Sequence, residues 1–195
     1  MKKMFLALVT AFMMGTSTTV NAQILGGQVI LRGGFSSNNF KGADYGTNSL
    51  PSYNVGVDFN KAIQGDWYWN TGVMFGTRGY KVEQPGDDYT FRAHNINIPI
   101  TTGYKYKLNN KFAVDGRIGA FLGVDMAGKA KVGADEMRLR DMDDYKRFDG
   151  GLVLAFGMWY KNVNLEYMFK RGFAEITSDG YNGAVNHMIR VGYAF

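Results

Sequence analysis

The chain has 195 residues, of which 46% are hydrophobic and 15% aromatic, enough for one domain and too apolar for a disordered chain. Its formal charge of +5 falls to +3 without Lys2 and Lys3, which belong to the leader described next, and so weak a bias gives no reason to expect nucleic acid. Cysteine is absent, which excludes a disulfide scaffold, a thiolate metal site and a lipidated N-terminal cysteine.

Residues 1–22 read as an export signal. Lys2 and Lys3 precede an apolar run from Met4 to Met14, and Val20-Asn21-Ala22 supplies small residues before a cut. The run is shorter than the ~20 apolar residues that a membrane helix needs. The mature protein, a single domain over residues 23–195, is expected to begin at Gln23.

From there the period is two. Val29, Leu31 and Phe35 alternate with Gln28, Ile30 and Arg32; Tyr53, Val55, Val57 and Phe59 alternate with Asn54, Gly56, Asp58 and Asn60. The third run sets Trp67, Trp69, Val73 and Phe75 against Tyr68, Asn70, Gly72 and Met74; the fourth sets Ile96, Ile98 and Ile100 against Asn95, Asn97 and Pro99. Phe112, Val114, Ile118 and Leu122 then oppose Asp115, Arg117, Gly119 and Gly123, and Phe148 to Tyr160 alternates likewise with Asp149, Gly151 and Gly157. The last two runs place Val163, Leu165, Tyr167 and Phe169 opposite Asn164, Glu166 and Lys170, and Ile189, Val191, Tyr193 and Phe195 opposite Arg190 and Gly192. Such alternation predicts eight strands, and no segment holds a helical period.

The predicted connections differ in length by turns. Ser36–Leu50, Val82–Arg92, Met126–Arg147 and Ala174–Ala184 are long and polar, whereas Lys61–Gly65, Lys105–Lys111 and Lys161–Asn162 are short. Short periplasmic turns alternating with long outer loops is the plan of an up-and-down antiparallel transmembrane β-barrel. A β-sandwich gives no reason for strict alternation.

A secreted barrel of lipocalin type would also have eight strands, with the apolar stripe inside. Three features place that stripe in lipid instead. The polar stripe is rich in glycine, which weakens a water-facing strand but suits a lumen too narrow for a side chain at every position. Its charges balance: Arg32, Arg78, Arg117, Lys170 and Arg190 against Asp58, Asp115, Asp125, Asp149 and Glu166, as an enclosed ion-pair network requires. Aromatic residues collect near strand ends, as interfacial girdles do. Tyr68, Phe121 and Trp159 add bulk to the interior, so the lumen is expected to be plugged. Pro99, mid-strand and without a donor, is read as a bulge or as a missing bond turned toward the lumen.

In segment order the chain resembles the outer-membrane β-barrel domain family that includes PorT-like proteins. The likeness rests on Val29–Phe35, Gly76-Thr77-Arg78-Gly79-Tyr80, Asn95–Ile100, Phe148-Asp149-Gly150-Gly151, Leu165-Glu166-Tyr167 with Arg171-Gly172-Phe173, and Val191-Gly192-Tyr193-Ala194-Phe195. It implies an eight-stranded barrel similar in size to those of OmpA and OmpX, in the outer membrane of a Gram-negative cell. It also implies that Phe195 belongs to the signal read by the barrel-assembly machinery, and it implies no activity.

Candidate chemistry is sparse. His94 is expected at a loop end with no evident nucleophile, and His187 on the lipid-facing stripe with no nearby serine. Asp135-Glu136 and Asp141-Met142-Asp143-Asp144 do not follow the spacing of a calcium loop and read as a solvated surface. No catalytic residue, metal or cofactor is expected. The expectation is a monomeric, non-enzymatic barrel that touches outer-membrane lipid or lipopolysaccharide, or a protein partner, through its outer loops. A narrow pore or transport or secretion accessory is the alternative, and a lipid-modifying enzyme a further one.

Overall fold

The computed structural model describes residues 27–41, 47–82, 89–133, 135–141, 145–173 and 182–195. The leader, the cut before Gln23 and the loop residues Asp143 and Asp144 lie outside the described residues. Among them run nine strands: β1 (Gln28–Lys41), β2 (Thr47–Gln64), β3 (Trp67–Val82), β4 (Tyr89–Lys107), β5 (Phe112–Val132), β6 (Asp135–Arg138), β7 (Phe148–Tyr160), β8 (Val163–Gly172) and β9 (Asn182–Ala194). A 3-10 turn, Leu139–Asp141, follows β6.

Eight of these strands close a barrel. Every pairing is antiparallel, β1 meets β9 as well as β2, and β4 joins β5, so no strand of the cylinder has a free edge. Closure is what hydrocarbon demands, because no backbone N–H or C=O can be left to water there. The short β6 stands apart and pairs only with β5, in a hairpin through Gly133.

The alternation read from sequence holds along the cylinder. On β1, Ile30 and Arg32 are buried, while Phe35 is 71% exposed. On β7, Phe148, Leu152, Phe156 and Met158 face out, and Val153, Ala155 and Trp159 face in. Polar residues inside and aliphatic residues outside invert a water-soluble barrel, and only lipid outside makes that arrangement favourable.

Strand limits differ from those expected. Most of the Ser36–Leu50 connection is strand, since β1 runs on to Lys41 and β2 starts at Thr47. Likewise β5 passes Met126 and reaches Val132. The reason is a bulge: His94 pairs with Ala127 but Asn95 with Asp125, so Met126 is the extra residue on β5. It shifts the alternation by one, turning Ala130 inward, and this conceals the strand from a period-two reading. His94 therefore lies within β4, stacked on Phe75, and not at a loop end.

Pro99 is not at a bulge. Register holds across it, with Thr71 facing Ile100 and Met74 facing Asn97, and only the bridges between those pairs are broken. Its ring is buried on the inward face. The strands are unequal: β2 to β5 have 18, 16, 19 and 21 residues, whereas β7, β8 and β9 have 13, 10 and 13. About 9–11 residues cross a bilayer, so one wall of the cylinder continues beyond it at the loop end.

Candidate functional site in the charged interior

The inward residues form alternating ionic and apolar layers along the barrel axis. Ile30, Ala113, Trp159 and Ala194 fill the end near the short turns. Above them lies an ionic layer from five strands: Arg32, Asp58, Asp115, Arg117, Glu166 and Arg190. Glu166 is its hub. Arg190 Nε donates to Glu166 Oε1 at 2.8 Å, Arg117 Nη2 pairs with Oε2, and Arg32 Nε lies 3.5 Å from that same oxygen. Asp58 receives Arg32 directly and Arg190 Nη2 at 3.5 Å. Tyr68 donates its hydroxyl to Asp115, which stands 3.9 Å from Arg117 Nε.

Amides complete this layer. Arg117 Nη1 donates to Asn70 Oδ1 at 2.7 Å, and Arg32 Nε to Asn164 Oδ1 at 3.2 Å. The sequence placed both asparagines on the inward stripe but gave no sign that they were partners. Their parity was the available signal.

An apolar layer follows, with Met74, Phe121, Val153, Ala155, Met168 and Met188. Beyond it stands a second ionic layer. Arg78 forks between Asp125, at 2.6 and 3.0 Å, and Asp149, at 2.7 Å. Lys170 sits beside Phe121, its Nζ 4.3 Å from the ring centroid and donating to Asn97 Oδ1 at 2.9 Å. All ten charged residues singled out in the sequence are at most 7% exposed.

The outer mouth is covered by the third connection. Leu139 is 3% exposed and packs with Tyr80, Phe91, Ala93, Ala130 and Ala184, while Tyr145 lies against them and donates its hydroxyl to Asp125. This inward fold was missed in a segment read as solvated. Its trace was two large apolar residues, Leu139 and Tyr145, in a highly charged stretch.

Glycine makes room for the charges. A Cβ on Gly192 would stand 2.7 Å from Arg32 Cγ, and one on Gly172 would stand 2.6 Å from both carboxylate oxygens of Asp149. Narrow space and long charged side chains fit together only because the facing positions are bare.

Outside the barrel, His187 faces Ser37 across the β1–β9 pairing, so a serine distant in sequence is adjacent in space. The partner at His187 Nδ1 is the Tyr167 hydroxyl, 2.7 Å away. Glu136 and Asp135 lie on β6, where Glu136 pairs with Lys129 and Lys131. Among the described residues no group of three acidic or histidine side chains is arranged to hold a metal ion.

Solved structures share this architecture. The outer membrane protein OprG from Pseudomonas aeruginosa superposes with a TM-score of 0.53 at 16% identity, covering 87% of this chain and 96% of that one. The outer membrane enzyme PagL gives 0.51 at 10% identity over 84% of this chain and 98% of its own. Neisserial surface protein A gives 0.50 at 14% identity over 87% and 97%. At such identities the likeness is one of fold. No curated protein matches the chain in sequence. The sequence matches the outer membrane protein beta-barrel domain family over residues 21–178, without a PorT-like label. The chain belongs to that family and is a barrel of the Gram-negative outer membrane.

Proposed function

We propose that this barrel is non-enzymatic, has a plugged lumen, and acts through its long outer loops on a partner, a ligand or envelope lipid, or structurally in the envelope. The observation that carries this reading is the interior itself. Ten buried charges, three arginines converging on Glu166, and the cover of Leu139 and Tyr145 fill the space an eight-stranded barrel encloses. A path for solute would require several ion pairs to break together, each leaving an unpaired buried charge.

Export by a leader ending at Ala22, assembly through the C-terminal strand ending at Phe195, and a monomeric state belong to the same proposal. The alternative is a narrow pore or transport accessory. A lipid-modifying activity would start from Ser37 and His187, with a tyrosine at the nitrogen where acyl-transfer triads carry an acid.

Two measurements test the reading. The purified barrel in planar bilayers should give no stable unitary conductance; steady channels altered by Glu166→Gln would favour the pore. In intact cells, Asp135→Cys, on the cysteine-free background, should react with an impermeant maleimide crosslinker. A reproducible adduct would identify the loop partner, and failure to label beside a reactive surface control would reverse the topology.

A further inference from the structure

The three short turns share one end of the barrel, and their charge is one-sided. Lys61 lies near the end of β2, Lys107 closes β4, Lys111 lies in the β4–β5 turn and Lys161 in the β7–β8 turn, and all four are exposed. Asp66 is the one acidic side chain in these turns. The lysines are not concentrated at one point. The β2–β3, β4–β5 and β7–β8 turns follow one another around the closed sheet, so the cations form an open ring. The ionic layer inside is already balanced, three arginines against three carboxylates, and leaves no acid for them.

An aromatic band lies at the level of the ring and just above it. Trp69 is the register partner of Lys61. Trp67 meets Tyr104 edge-on at 5.3 Å, and Phe112 lies 4.9 Å from Tyr160. Trp67 and Trp69 are each 52% exposed on the lipid side. Such rings settle at headgroup level. A strand rises ~3.3 Å per residue, so Lys111 and Lys161, one residue beyond Phe112 and Tyr160, stand at the depth of the lipid phosphates, and Lys61, level with Trp69, reaches that depth with its flexible stem. Lys161 holds its Nζ 5.9 Å from the Tyr160 centroid. Its φ of 52° is a left-handed conformation that glycine or asparagine adopts more easily, yet the position carries a cation.

We infer that this rim binds the headgroups of anionic phospholipids in the inner leaflet of the outer membrane, the lysines contacting phosphate oxygens and the indoles fixing the depth. The inference needs only the membrane placement of the barrel and is independent of what its outer loops do. Each lysine within reach of a charged membrane surface adds about a fivefold preference.

The test is local quenching of tryptophan by brominated lipid in bilayers containing the folded, full-length mature barrel. Trp67 and Trp69 report from the rim, while Trp159, 2% exposed in the interior, gives a constant background. At equal mole fraction, bromine on phosphatidylglycerol chains should quench more than bromine on phosphatidylcholine chains, with a severalfold higher relative association constant. The preference should shrink as salt is raised and disappear in the variant carrying K61Q, K107Q, K111Q and K161Q. Equal quenching by the two lipids overturns the inference, as does a preference that survives the four substitutions. Should the variant not fold, the salt series on the unaltered barrel decides, and a preference insensitive to salt overturns the inference. Equal quenching together with binding of an acidic soluble peptide would assign the ring to a periplasmic partner instead.

Discussion

Gly192 on β9 faces Arg32 on β1 in register, and the arginine's stem occupies the space that any side chain on the glycine would need. Gly192→Ala should therefore cost about 1–3 kcal/mol, the range for overpacking, read as a lower urea midpoint in lipid vesicles. Gly33→Ala is the contrast. Its Cβ would meet only Asn54 O at an ordinary 3.8 Å on the lipid side, and the midpoint should move by no more than about 0.5 kcal/mol.

Arg117→Ala removes one partner from Glu166 and one from Asn70 and leaves the carboxylate layer with an excess negative charge. A cost of about 3–5 kcal/mol is expected, as for other broken buried pairs. Urea unfolding in vesicles measures it. An unaltered midpoint would mean that Arg117 carries no structural load. Arg171→Ala, exposed on the other face of β8, should lie within about 0.5 kcal/mol of the parent.

Leu139 anchors the cover of the outer mouth. Leu139→Ala should weaken its contacts with Phe91 and Ala130 by about 2–4 kcal/mol. Because the loss is confined to the β6 hairpin, the expected readout is faster trypsin cleavage after Arg138 with little change in the global unfolding midpoint. A fall in the global midpoint without faster cleavage would mean that the cover unfolds only with the barrel.

Hydrogen bonds from Lys129, and then from Lys131, hold the exposed Glu136 carboxyl below its usual value. A depressed carboxyl supports the hairpin at every pH above the ordinary glutamate range and loses that support as pH falls through the lowered value. The β5–β6 contact should therefore persist at neutral pH and weaken only on acidification beyond the usual glutamate midpoint. The carboxyl carbon shift of Glu136, followed by NMR titration, checks this. Lys129→Gln should move the midpoint back toward the ordinary value.

The parts of the fold that contact lipid were legible from sequence, because lipid on one side and crowding on the other impose strict alternation. Phe35 out and Arg32 in could be read from spacing alone. Beyond the bilayer both faces tolerate polar side chains, and the signal fades. That is why Asn38, buried and donating to Ser52 at 2.7 Å, falls within a stretch whose sequence reads as loop. The Met126 bulge concealed the end of β5 in another way, by reversing the phase of the alternation. Within the interior, the charged residues were identifiable by parity and balance, but the pairings were not. That Glu166 gathers arginines from β1, β5 and β9 depends on the barrel's circumference, which no local pattern encodes.

The layered interior has an electrical consequence. The layer around Glu166 holds three cations and three anions, and the layer around Arg78 holds two of each. A potential difference acts on a moving charge with about 2.3 kcal/mol per elementary charge for every 100 mV. Either layer, displaced as a unit, carries zero net charge through the field. Layers that move as units carry no gating charge, and a voltage across the outer membrane would do no work on them.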